Sequence, residues 1–194
     1  YTITEKKGDI GGLTYDESTY TVTVTVTDDG KGSLKAEVRY AKGSVEGDKA
    51  SFTNSYTAEK SEPTDFKVVK EMTGKALEQG AFTFRLTEVN EEGDKKAGGI
   101  ERVRENKESA SQNADGKYED TIDFGEISYE EPGTYYYMIE EENSGEEVDG
   151  ISHNLERRIH VVKVVVEDNL KGKLEVTSKE VVTFKDGEKP NGLA

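Results

Sequence analysis

Cysteine and tryptophan are absent from the 194-residue chain, and proline (3), methionine (2) and histidine (2) are scarce. Without cysteine there is no disulfide and no zinc–thiolate site, so a domain that must resist force or proteases needs another cross-link. No apolar run reaches the length of a membrane span. Only 32% of residues are hydrophobic, which is lean for one globular core and ordinary for elongated domains with much surface. Lys and Arg number 26 against 41 Asp and Glu, a formal net charge of -15. Nucleic acid and anionic lipid are poor partners for such a surface, because phosphate binding needs clustered cations. Neither a signal peptide nor a sorting motif is visible. The chain opens on Tyr1-Thr2-Ile3-Thr4-Glu5 as if in mid-strand, and it reads as an internal segment of something longer.

What is abundant is alternation. Tyr20 to Thr27 runs Y-T-V-T-V-T-V-T, with Val22, Val24 and Val26 on one face and threonines on the other. That is the period of a half-buried strand. Asp28-Asp29-Gly30-Lys31-Gly32 is a hairpin turn, and Leu34, Ala36 and Val38 mark the return strand. The unit recurs: His160 to Glu167 is the long strand, Asp168 to Gly172 the turn, and Leu174 to Val176 the return. Upstream, Tyr1 to Glu5 parallels Tyr137 to Glu141, and Gly12-Leu13-Thr14-Tyr15 parallels Gly150-Ile151-Ser152-His153. The offset grows from 136 (Tyr1 to Tyr137) to 140 (Tyr20 to His160), a plausible single-domain length.

The expected organisation is therefore residues 1–57 as the C-terminal half of one repeat, 58–63 as linker, and 64–194 as a second repeat lacking its last strand. Further strands are expected at 81–89, 121–124 and 133–142, and at 51–56, with a helical turn or two at 72–80. The polar stretch 91–118 reads as a long, partly mobile excursion. The fold class is all-β, and many short strands with turn signals point to a sandwich.

Three polar residues continue apolar stripes. Lys70 shares a strand face with Phe66 and Val68; Glu141 shares one with Tyr135, Tyr137 and Ile139, as Glu5 does with Tyr1 and Ile3. Asn54 shares one with Phe52 and Tyr56. Lysine, glutamate and asparagine on inward faces are the ingredients of a spontaneous isopeptide bond. Burial drives an amine towards its neutral, nucleophilic form, a carboxamide carbon is the electrophile, and a protonated carboxyl can polarise the amide and move protons. Each residue alone has a plainer reading: a lysine reaching to water, a solvated glutamate closing a strand, an asparagine opening a turn. Strands also bulge and slip register, so phase does not decide between the two.

Several strings resemble a known family: Lys70-Glu71-Met72-Thr73-Gly74-Lys75-Ala76-Leu77, Gly80-Ala81-Phe82-Thr83-Phe84, Phe124-Gly125-Glu126-Ile127-Ser128-Tyr129 and Pro132-Gly133-Thr134-Tyr135-Tyr136-Tyr137. With them go Tyr1 to Glu5, Gly12 to Asp16, the Tyr20 to Thr27 strand and Phe52-Thr53-Asn54. Together they resemble the pilin isopeptide-linkage domains of Gram-positive shaft pilins and repetitive surface adhesins. The resemblance implies Ig-like sandwiches in tandem, related to collagen-adhesin B-type modules, on an extracellular, wall-anchored pilus or surface stalk. It implies Lys70 as nucleophile, Glu141 and Glu5 as catalytic acids and Asn54 as the residue attacked. The partners it implies are neighbouring repeats or subunits in a linear polymer.

The sites are split. Glu5 and Asn54 fall in the first copy, Lys70 and Glu141 in the second, so each set's missing partner is expected outside this segment. No cofactor is called for. Asp28-Asp29-Gly30 and Asn90 to Asp94 lack EF-hand spacing. His153 and His160 suggest no metal for want of a third ligand, and read as tyrosine replacements on a strand surface. A turnover enzyme lacks a nucleophile–base pair, phosphate loop or metal cluster. The competing function is an adhesin domain gripping a host glycan or matrix protein, prompted by the 91–118 excursion and the tyrosines Tyr129, Tyr135, Tyr136 and Tyr137.

Overall fold

The computed structural model describes residues 1–185, and among them there are fifteen strands and no helix. The fold is all-β. The chain divides into two compact units, the first built from residues 1–59 with 170–173 and the second from 60–169 with residues from 174 onward.

In the first unit, β1 (Thr2–Thr4), β3 (Thr19–Asp28), β4 (Leu34–Lys42) and β5 (Val45–Gly47) form an antiparallel sheet in the order β1-β3-β4-β5. The turn between β3 and β4 is tied by Asp28 and Asp29, whose carboxylates accept the amides of Gly30 and Lys31. The alternation seen in the sequence places Val22, Val24 and Val26 opposite Tyr40, Val38 and Ala36. Ile3 stands opposite Tyr20 on the same face. Val22, 8% exposed, is the most buried hydrophobic side chain of this unit, while Val24, Val26 and Val38 are exposed. A separate short pair joins β2 (Leu13–Thr14) to β6 (Ser55–Tyr56). The expected strand over 51–56 is thus regular only at its last two residues. Upstream of it, the Phe52 ring packs edge-on against Tyr20 at 5.3 Å.

The second unit has a sheet in the order β15-β14-β11-β8-β9. Its strands are β8 (Thr83–Val89), β9 (Glu101–Glu105), β11 (Gly133–Glu141), β14 (Arg158–Asp168) and β15 (Leu174–Lys185). Against it lies an antiparallel pair, β7 (Thr64–Met72) with β10 (Tyr118–Ile127). A last pair joins β12 (Glu146–Val148) to β13 (Ile151–His153). The two layers meet through apolar stripes of period two. Phe66 on β7 and Ile122 and Phe124 on β10 are buried, as are Leu86, Tyr137, Ile139, Val162, Val164 and Val166 of the sheet. Phe66 meets Tyr137 edge-on at 4.7 Å. Each such side chain contributes roughly 1.5–3 kcal/mol on leaving water.

Two expectations are corrected here. Residues 73–80 are turns and bends rather than helix, because β7 runs on to Met72 and Gly74 and Gly80 take positive φ. The 91–118 stretch is not a loose excursion: it supplies β9, paired residue for residue with β8. Arg102 on β9 donates to the carbonyls of Phe124 (2.7 Å) and Glu126 (2.9 Å). Those carbonyls flank the β10 bulge, where Gly125 adopts φ 82.

Candidate functional site

Lys70 sits near the end of β7, on the side of Phe66 and Val68, since alternate residues of a strand share a face. Glu141 ends β11 opposite Phe84, in phase with Tyr137 and Ile139. The two layers bring them together: Lys70 Nζ donates to Glu141 Oε2 at 2.9 Å. The lysine side chain is 12% exposed and the glutamate 7%. Below Nζ lies the Phe82 ring, 3.8 Å from its centroid. A buried ion pair of this kind is held by geometry, because desolvation offsets much of its attraction.

The ring is itself fixed. Asn106, 1% exposed, accepts the Phe82 amide at 2.8 Å and donates to the carbonyls of Glu78 (2.7 Å) and Lys107 (2.8 Å). One carboxamide thereby satisfies three backbone groups: the Phe82 amide and Glu78 carbonyl around the turn before β8, and the Lys107 carbonyl after β9.

The second oxygen of Glu141 faces His153. Nδ1 of that histidine is 3.5 Å from Oε1, and its side chain is 6% exposed. The imidazole lies against Phe82 at 4.8 Å between ring centroids. His153 is therefore a core residue and not the surface replacement its sequence position suggested. His160 is half-buried, its Nδ1 2.8 Å from Thr183 Oγ1, and burial holds its titration below the usual histidine value. Among the described residues no cluster of His, Asp and Glu is arranged to hold a metal ion.

A groove of about 400 Å³ opens beside the pair, lined by Val68, Lys70, Phe84, Ile139, Glu141 and Leu155 among others. Asn154 also lines it, but its carboxamide is spent on its own turn, accepting the Arg158 amide and donating to the Arg158 carbonyl.

The first unit brings Glu5 and Asn54 together, with no lysine bonded to either among the described residues. Asn54 Nδ2 donates to Glu5 Oε1 at 2.7 Å, and Asn54 Oδ1 accepts the Asp16 amide at 2.8 Å. Glu5 Oε2 is buried and has no hydrogen-bond partner, while Asn54 itself is exposed. The Asp16 carboxylate is held by the Ser18 side chain and by the amides of Ser18 and Thr53, which lower its pKa to about 2. Asp16, His153, Phe82 and Asn106 were not singled out by sequence reasoning as functional residues. The one available signal was proximity, since Asp16 and His153 lie in or beside the Gly12 and Gly150 strings that recur between the two copies.

Of the four tyrosines that prompted the adhesin reading, Tyr135 is partly exposed and the other three are buried. Desolvation pushes the Tyr129 phenol up to about 12 and Tyr137 higher still.

These features define a class: an all-β protein whose most distinctive polar group is built into a domain core and not onto a loop. Residues 1–57 and 66–189 match the family described as FctA, Spy0128-like isopeptide containing domain, and the chain belongs to that family. It is thereby a structural isopeptide domain protein of the Gram-positive pilin type. No curated protein and no solved structure matches the chain.

Proposed function

We propose that this chain is a load-bearing stretch of a pilus shaft, made of tandem repeats that each close a Lys–Asn amide once during maturation. The observation that carries the reading is the buried Lys70–Glu141 pair on its aromatic floor, with a groove alongside. A surface ion pair would need no such enclosure, and a chain without cysteine gains from a cross-link that needs no oxidant.

In the second unit the proton on Lys70 passes to Glu141. The free amine attacks the carboxamide carbon of an asparagine lying in the groove. Glu141 gives that proton to the departing nitrogen and takes the proton shed by the attacking one, the C–N bond of the carboxamide breaks, ammonia leaves, and Glu141 is left protonated. The product is a neutral amide, so the buried charge on Lys70 disappears. In the first unit Glu5 and Asn54 await a lysine, and the exposed valine face of β3 and β4 awaits a covering layer like β7 and β10. On this reading residues 1–57 and 64–194 are parts of two repeats joined by a linker at 58–63, and both absent partners come from outside the described residues.

The test uses the chain's own strand. With the drifting offset of the repeat carried on to 144, Ala194 falls where Ala50 precedes Ser51-Phe52-Thr53-Asn54-Ser55-Tyr56. A chain carrying a second copy of that hexapeptide after Ala194 should lose about 17 Da, one ammonia, on folding. The same chain with Lys70→Ala should not. An unshifted mass in the folded, extended protein would sink the proposal.

A further inference from the structure

Glu141 has two oxygens, and the bond-forming step uses only one of them. Oε2 faces Lys70. Oε1 is buried without a hydrogen-bond partner, and so is Nδ1 of His153, 3.5 Å away. Buried polar atoms are almost always paired, and two unpaired ones facing each other at this distance need only a slight rotation to join. The histidine has little other freedom. Its backbone carbonyl accepts the Gly145 amide at 2.7 Å, and its ring lies against the same Phe82 that floors Lys70.

We infer that His153 is a positioning residue for amide formation in the second unit: its Nδ1–H holds Glu141 Oε1, keeps Oε2 turned to Lys70, and makes closure sensitive to the charge on the imidazole. The inference rests on the function proposed above. A neutral imidazole donates one hydrogen bond to Oε1 whether Glu141 is carboxylate or acid, so the proton can shuttle on Oε2 undisturbed. An imidazolium in the same place adds a buried positive charge. It favours the carboxylate, and with it the protonated, non-nucleophilic lysine. The charged groups facing His153 are Glu141 on β11, Lys70 of β7 across that carboxylate, and Glu146, its register partner on β12. Glu146 is exposed. In the first unit Tyr15 occupies the matching place in the repeated string, so this sensitivity belongs to the second unit.

The extended chain described above provides the test, with closure followed by intact mass after refolding at a series of pH values. The parent should slow as the medium becomes more acidic, with one proton's worth of the fall, tenfold per pH unit, due to His153. His153→Gln keeps a donor for Oε1 without a charge. It should close near the parent's rate at the alkaline end and lose that one-proton component of the acid limb. His153→Ala should be slower at every pH, by roughly ten- to hundredfold, because Oε2 is no longer aimed. If the parent closes and His153→Gln keeps the parent's acid limb, or His153→Ala matches the parent's rate, the role of His153 is overturned while the cross-link stands. If the folded parent never closes, both fall together.

Discussion

The two units carry related strands and opposite interiors. In the second, the β7–β10 pair covers the sheet, and Phe66, Tyr137, Val162 and Val164 are nearly inaccessible. In the first, the same alternating pattern leaves Val24 41% and Val26 55% exposed. Burial is thus set by the layer opposite as much as by the strand. The polar residues follow suit: Lys70 and Glu141 are enclosed, whereas Asn54, in contact with Glu5, is open to water. On the function proposed above, the enclosure is what separates the two sites, because burial disfavours a charged lysine and an open face does not.

Several perturbations would break or sharpen that contrast. The largest effect is expected at the ion pair itself. Removing one partner leaves a buried charge, so Lys70→Ala or Glu141→Ala should destabilise the second unit by about 3–5 kcal/mol in chemical denaturation. Glu5→Ala should cost the first unit under about 1 kcal/mol, and equal losses would erase the distinction drawn between the two sites. Next comes Asn106→Ala, which strands the Phe82 amide and two carbonyls. A loss of about 1–3 kcal/mol is expected, seen as a shifted urea midpoint of the second unit alone. The third is a pH effect confined to the first unit. The Asp16 carboxylate titrates at about 2 when folded, below its usual value, so its support is fully present above the unfolded pKa of about 4 and is lost as pH falls through about 2. Asp16→Asn should flatten the first unit's stability across that window, and an unchanged pH profile would count against the Ser18 and Thr53 contacts. The smallest effect is expected from Val24→Thr, within about 0.5 kcal/mol on an open face. Val164→Thr, which buries a hydroxyl, should cost about 1–3 kcal/mol.

Much of this was legible in the sequence. The Tyr20 to Thr27 alternation became β3 almost residue for residue, and the phases of Lys70 and Glu141 agree with the faces they occupy. Period two is a local property, so it survives without tertiary information. What was hidden depended on distant contacts. β9, Glu101-Arg102-Val103-Arg104-Glu105, is a charged edge strand whose pairing with β8 leaves no apolar stripe to read. Asn106 looks like any loop asparagine until the Phe82, Glu78 and Lys107 backbone groups converge on it. His153 sits on a three-residue strand, too short to show a face, and its burial comes from Phe82 and Glu141.

The central claim is that the sealed site is chemically competent once an asparagine strand reaches it. The direct measurement is tryptic mapping by tandem mass spectrometry of the chain extended after Ala194 by Ser51-Phe52-Thr53-Asn54-Ser55-Tyr56. The account predicts one branched peptide joining Lys70 to the added asparagine, about 17 Da lighter than its two parts, with Asn54 itself left unmodified. Linear Lys70 and linear asparagine peptides alone, from protein shown to be folded, would contradict it.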